Sequence, residues 1–117
     1  METTAAVDML GALAQDTRLS VFRLLVQHGM VGLPAGRIGE SLGIPPATLS
    51  FHLTQLTRAG LLASRRQSRS IFYAVDFAAI NGLLQFMTEN CCSAPGTACA
   101  PPAATRVTLD ARKGKTR

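Results

Sequence analysis

Three cysteines, Cys91, Cys92 and Cys99, fall close together near the end of the chain. Clustered thiols with no histidine among them form a soft-donor set, suited to thiophilic ions. A closed zinc site takes four protein ligands, one more than the cluster holds. Arsenite is trivalent and keeps a lone pair, so three sulfurs complete its pyramidal shell. The count therefore favours arsenite, with antimonite as a close mimic. Cadmium fits where water or another ligand joins. Pro95-Gly96 is a turn signal, and the stretch from Cys92 to Cys99 reaches at most about 25 Å. The turn can fold Cys99 back onto the adjacent pair. A thiol redox sensor is the alternative: neighbouring cysteines make a strained bridge, but Cys92 and Cys99 could pair. The plainest reading is a packed cysteine pair plus a stray third, cysteine being among the most buried residue types.

The elements that must position these thiols follow from periodicity and punctuation. Val7, Leu10 and Leu13 stand at helical spacing in a short first helix. Asp16 can cap a second helix, with Leu19, Phe22, Leu25 and Val26 as its apolar stripe. Pro34 opens a short third helix that Gly43 ends. Pro45 and Pro46 fix the start of a fourth, which runs to about Ala59 with Leu49, Leu53 and Leu56 as its buried stripe. Two short helices joined by a tight glycine-containing turn form a helix-turn-helix. Leu61–Arg66 and Ser70–Val75 read as two strands, Ile71, Tyr73 and Val75 alternating with Phe72 and Ala74. Gln67-Ser68-Arg69 is the turn between them, so the hairpin is a wing. Asp76 caps a last long helix over about 77–91, with Phe77, Ile80, Leu83, Leu84 and Met87 on its apolar face. The fold class is mainly α with a small β-hairpin, a winged helix-turn-helix. Residues 1–92 form the folded domain and 93–117 a cysteine-containing loop and basic tail.

Composition narrows the function classes. The 117 residues suit one domain. No apolar run approaches the roughly 20 residues that span a membrane. The N-terminus carries Glu2 and Asp8 and no basic stretch, unlike a secretory signal. A cytoplasmic location is expected, where thiols stay reduced. The net charge is +5, but most of it lies in Arg106, Arg112, Lys113, Lys115 and Arg117 of the tail, so charge alone is a weak sign of nucleic acid. An enzyme is not expected. An oxyanion-handling cysteine loop ends in an arginine, whereas Thr97 and Ala98 stand at the corresponding places after Cys91 and Cys92. Neither a Ser/His/Asp set nor a glycine-rich phosphate loop is present.

A helical wheel turns Ala47, Phe51, Thr54, Gln55 and Arg58 away from the leucine stripe of the fourth helix. Thr48, Ser50 and Gln55 suit base edges, and Phe51 suits thymine methyls. Arg58 suits phosphate. His52 lies near the buried edge, a packed histidine more readily than a base reader, and completes the set of candidates. In the wing, Arg65, Arg66 and Arg69 cluster beside the turn for backbone or minor-groove contact.

The stretch LSFHLTQLTRAGLLASRRQSRSIFYAVD, Leu49 to Asp76, resembles the recognition helix and wing of the ArsR/SmtB family of metal-responsive repressors. ALAQDTRLSVFRLL, Ala12 to Leu25, resembles that family's second helix. The resemblance covers roughly residues 5–92. It implies a homodimer joined through the first and last helices, repression by the ligand-free dimer on double-stranded operator DNA, and release when metal binds. Two departures stand out. The third helix reads GRIGESLG, without the Cys-x-Cys of many members. Asp76 is followed two residues later by Ala78, not by the histidine of a zinc site between last helices. Arsenic-responsive members with C-terminal cysteine triads exist, which points to Cys91, Cys92 and Cys99. The resemblance thus implies no resident cofactor, only arsenite as inducer.

Overall fold

The computed structural model describes residues 1–98 and divides them into two units, one from Met1 to Met87 and one beginning at Thr88. The first unit runs α1 (Thr3–Leu13), α2 (Asp16–Gln27), β1 (Leu33–Pro34), α3 (Ala35–Leu42), α4 (Pro46–Arg58), β2 (Leu62–Gln67), β3 (Ser70–Val75) and α5 (Phe77–Met87). The sheet order is β1-β3-β2, all antiparallel.

Local chemistry explains most boundaries. The cap of α2 is Gln15, not Asp16: its side-chain oxygen accepts the Arg18 N–H at 2.8 Å, and Asp16 is the first helical residue. A longer amide reaches the orphan N–H as a shorter carboxylate would from the same place. Gly43 closes α3 in the left-handed conformation, at φ 68°. Pro46 begins α4, where its missing N–H costs nothing. Asp76 Oδ1 accepts the Ala79 N–H at 3.0 Å and caps α5.

Val21, Leu25, Ile38, Leu49, Leu53, Leu56, Leu61 and Leu83 form the centre of the core. Helix α2 is rotated from the expected stripe. Val21, Phe22 and Leu25 are buried, whereas Leu19 and Val26 are 44% and 42% exposed. The hairpin also departs from simple alternation. Its base is buried at Leu62, Ala74 and Val75, and exposure rises toward the tip, because the far end has no layer packed on either face. Gln67 pairs with Ser70, so the turn is two residues, Ser68 and Arg69, with Ser68 at φ 59°.

Strand β1 is a two-residue addition that no periodicity could reveal. Leu33 pairs with Tyr73 and Pro34 with Phe72. It is admitted by Gly32, at φ +72°, where any Cβ would run into the Tyr73 carbonyl. Gly32→Ala is therefore expected to destabilise the fold by more than about 1 kcal/mol, since both the backbone angle and the space are wrong for a side chain. A chemical denaturation curve with an unchanged midpoint would count against that.

Helix α5 ends at Met87, four residues earlier than the expected 91. Asn90 and Cys92 both adopt left-handed backbone angles, φ 61° and 60°, which cannot continue an α-helix. Cys91 and Cys92 thus lie in the turns of the second unit, not on the last helix.

Candidate nucleic-acid interface and thiol site

Helix α4 separates cleanly into two faces. Leu49, Leu53 and Leu56 are buried, and Thr48, Ser50, Phe51, Thr54 and Arg58 are exposed. Phe51 stands 57% exposed on this polar face. Positions 47, 50, 51, 54 and 58 repeat every three to four residues and so share one side of the helix. Residues 46 to 51 give the helix an open N-terminal end, the part that contacts base edges when such a helix lies in a major groove.

Two candidates sit differently from their fellows. Gln55 is half-buried and lines a cleft of about 280 Å³ with Asp8, Ala12, Arg18 and Arg58, at the edge of the exposed face. His52 is buried, at 8% exposure, and off that face. Its Nδ1 accepts a hydrogen bond from Arg18 Nη1 at 3.3 Å, and its ring meets Phe51 edge-on at 5.6 Å. His52 therefore stands behind the reading surface rather than on it. Burial, then the neighbouring Arg18 charge, lowers its pKa below the ordinary 6.5. Arg18 was missed in the sequence because it reads as one more cation on a polar helix face.

The three wing arginines do not cluster. Successive strand residues point to opposite faces, so Arg65 and Arg66 diverge. Arg65 Nη1 donates to the Val31 carbonyl at 2.9 Å and Nη2 to Gln67 Oε1 at 3.2 Å, while the guanidinium covers the Phe72 ring at 4.8 Å. The carbonyl bond ties the wing to the turn after α2, and the cation–π contact joins β2 to β3 within the wing. Arg66 and Arg69 are exposed near the tip. If these two meet phosphate, the Arg66→Ala/Arg69→Ala protein should lower the slope of log affinity against log salt by about two. Sequence preference should hardly change. An unaltered slope in a fluorescence anisotropy series would place the DNA elsewhere.

The thiols are set by a short run of turns. Cys91 N–H donates to Thr88 O at 3.0 Å and Ser93 N–H to Asn90 O at 3.2 Å. The Thr97 hydroxyl, not among the candidate site residues, donates toward Ala94 O at 2.7 Å and Cys92 O at 3.2 Å. Cys91 is exposed and Cys92 half-buried. Their Sγ atoms are 3.2 Å apart. Cys99 lies outside the described residues. Among the described residues no three His, Cys, Asp or Glu side chains gather as a metal-binding group.

Comparison with known proteins fits this geometry. A family described as a helix-turn-helix domain matches residues 13–65. The transcriptional activator HlyU of Vibrio cholerae is 27% identical over 89 residues, 76% of this chain and 80% of HlyU. A solved structure of that protein superposes with a TM-score of 0.62 at 26% identity, covering 79% of this chain and 99% of HlyU. The homodimeric winged helix-turn-helix DNA-binding domain of Mb0332 from Mycobacterium bovis is described as a possible ArsR-family regulator. It gives 0.59 at 26% identity over 74% of this chain and 81% of that domain. An ArsR-like regulator from Rhodococcus sp. RHA1 shares the fold, with a TM-score of 0.66 at 21% identity over 95% of this chain and 92% of that one. The chain thus has the winged helix-turn-helix fold of ArsR-like regulators, and the relatives it resembles are transcriptional regulators rather than enzymes. No helix among the described residues is long and apolar enough to cross a membrane.

Proposed function

We propose that this chain is a dimeric transcriptional repressor whose C-terminal cysteines take up arsenite and so weaken its hold on operator DNA. The observation that carries the DNA-binding part is the exposed face of α4, Thr48, Ser50, Phe51, Thr54 and Arg58, together with the exposed Arg66 and Arg69 near the hairpin tip. Short polar groups and one exposed aromatic are what base edges and thymine methyls require.

Two further features support the reading. Helices α1 and α5 pack on each other, and Val7, Leu10 and Met87 still stand in solvent. A second copy would cover them, as the homodimeric state of Mb0332 suggests. At the thiols, the donor set fits the inducer. Sulfurs 3.2 Å apart that each make a bond of thiolate–zinc length, about 2.3 Å, subtend roughly 90° at the ion. A pyramidal ion with a lone pair accepts that angle more easily than a tetrahedral one. Cys99 would then complete the shell, and antimonite should substitute for arsenite. No resident cofactor is required for DNA binding.

In this reading ligand-driven reordering of residues 93–99 strains the chain that follows α5. The strain shifts the interface and so the angle between the two recognition helices. Such coupling is typically about 1–3 kcal/mol, and operator DNA must weaken arsenite binding equally. The test is an arsenite titration of the reduced protein on its preferred duplex, with peroxide run in parallel. Release by arsenite supports the reading; release by peroxide alone points to a redox sensor.

A further inference from the structure

One polar link ties α4 to the two helices behind it. Arg18 lies in the first turn of α2. Its Nε donates to the Ala12 carbonyl near the end of α1 at 2.6 Å, and its Nη1 donates to His52 Nδ1 in α4 at 3.3 Å. A guanidinium has no acceptor, so Nδ1 must supply the lone pair, and the neutral ring carries its proton on Nε2. His52 is the one polar or charged side chain in the buried class among the described residues. Three helices therefore converge on a single guanidinium, and one end of the link can exist only while the imidazole is neutral.

We propose that Arg18 and His52 form a proton-sensitive strut that positions α4 for DNA, holding the helix at neutral pH and loosening it when His52 is protonated. Both are positioning residues, acting through the helix that bears Thr48, Ser50 and Phe51. The functional half of the proposal rests on the DNA-binding reading above. Protonation removes the acceptor at Nδ1 and sets two cations side by side in a part-buried place. The other charged groups near His52 are few. Asp8 of α1 and Arg58 of α4 line the cleft that Arg18 also lines. On α3, Glu40 lines a separate cleft with Leu49 and Leu53. On β2, Arg65 is engaged with Val31 and Phe72, and Arg66 is exposed. Burial, then the Arg18 charge, lowers the proton affinity of His52. The sign follows from linkage. A histidine whose pKa is lowered by folding binds fewer protons folded than unfolded. The stabilisation is full above 6.5 and is lost as pH falls through the lower folded value.

The test compares the full wild-type chain with His52→Asn, whose side-chain oxygen can replace the Nδ1 acceptor but does not titrate. The DNA probe is the duplex that the wild-type chain enriches from a random-sequence pool at neutral pH. Wild-type affinity should fall as pH drops below the folded pKa of His52, itself lower than 6.5, with a slope approaching tenfold per pH unit for each His52 in the bound assembly. His52→Asn should keep neutral-pH affinity and lack that fall. In the free protein, α4 amide resonances should move with the His52 ring titration in wild type and stay fixed in the variant. Should His52→Asn fail to fold, Arg18→Met decides instead: losing donor and charge while keeping the stem, it should raise the His52 midpoint toward 6.5. Matching pH profiles for wild type and His52→Asn, α4 resonances indifferent to the ring titration, or an unmoved midpoint in Arg18→Met would each overturn the strut. The resonance measurements need no DNA. A chain that enriches no duplex defeats the DNA-binding reading, and the resonances still decide the strut.

Discussion

Placing glutamate at Val7 is expected to split the proposed dimer and to lower affinity for the preferred duplex by about a hundredfold to ten-thousandfold, with the fold intact. Val7 stands 57% exposed on α1, while its neighbours Ala6 and Met9 are turned into the core. The substitution therefore leaves the core packing alone, and glutamate is the better helix former of the two. In a two-fold assembly the same position recurs on the partner, so a single change introduces two charges into one apolar contact. A monomer carries one α4 and meets one half-site. It loses the intramolecular second contact, which is worth roughly 10²–10⁴ in apparent affinity. Sedimentation velocity and anisotropy on one protein stock would check both effects. A Val7→Glu dimer with unimpaired DNA binding would move the interface away from α1.

Replacing Cys92 with serine is expected to leave DNA binding at its wild-type level and to abolish release by arsenite. Cys91 and Cys92 present adjacent sulfurs, and an oxygen in place of one removes a soft ligand from the pair. The backbone at Cys92, at φ 60°, is one that serine also tolerates in this chain, since Ser68 has φ 59°. The turn should therefore persist. With coupling of about 1–3 kcal/mol, wild-type affinity should drop roughly fivefold to 150-fold when arsenite saturates. The Cys92→Ser protein should show none of that drop. Cys99→Ser should keep part of the response to methylated trivalent arsenic, which needs two thiols only. Full release of Cys92→Ser at wild-type arsenite concentrations would dismiss the thiol site and leave the DNA-binding fold standing.

Much of the architecture was legible in the sequence because strong local signals agreed with one another. Proline before α4, glycine after α3 and the Leu49–Leu53–Leu56 stripe all placed the helix-turn-helix, and the exposed face followed from the same wheel. Asp76 marked the start of α5 by ordinary capping chemistry. What escaped depends on contacts distant in sequence. The rotation of α2, which buries Val21 and exposes Leu19 and Val26, is set by packing against β3, α1, α3 and α4, and an apolar count of the helix alone cannot choose the register. Strand β1 has two residues and exists because Gly32 lets the chain approach Tyr73. Arg65 lies near the wing tip in sequence, yet the Val31 carbonyl and the Phe72 ring hold it. Arg18 reaches His52 of α4 across 34 positions of chain while also holding the Ala12 carbonyl of α1. The end of α5 was placed late because apolar periodicity runs on to Met87 and nothing in residues 88–92 is a proline or glycine. The left-handed Asn90 is the stop.

The measurement that bears most directly on this protein's role is enrichment of duplexes from a random-sequence pool by the reduced, full-length chain at moderate salt. The expected result is an imperfect palindrome whose half-sites are centred about one helical turn apart, roughly 34 Å, so that paired α4 helices occupy successive major grooves. Equal retention of all duplexes, with no sequence enriched over the starting pool, would contradict it.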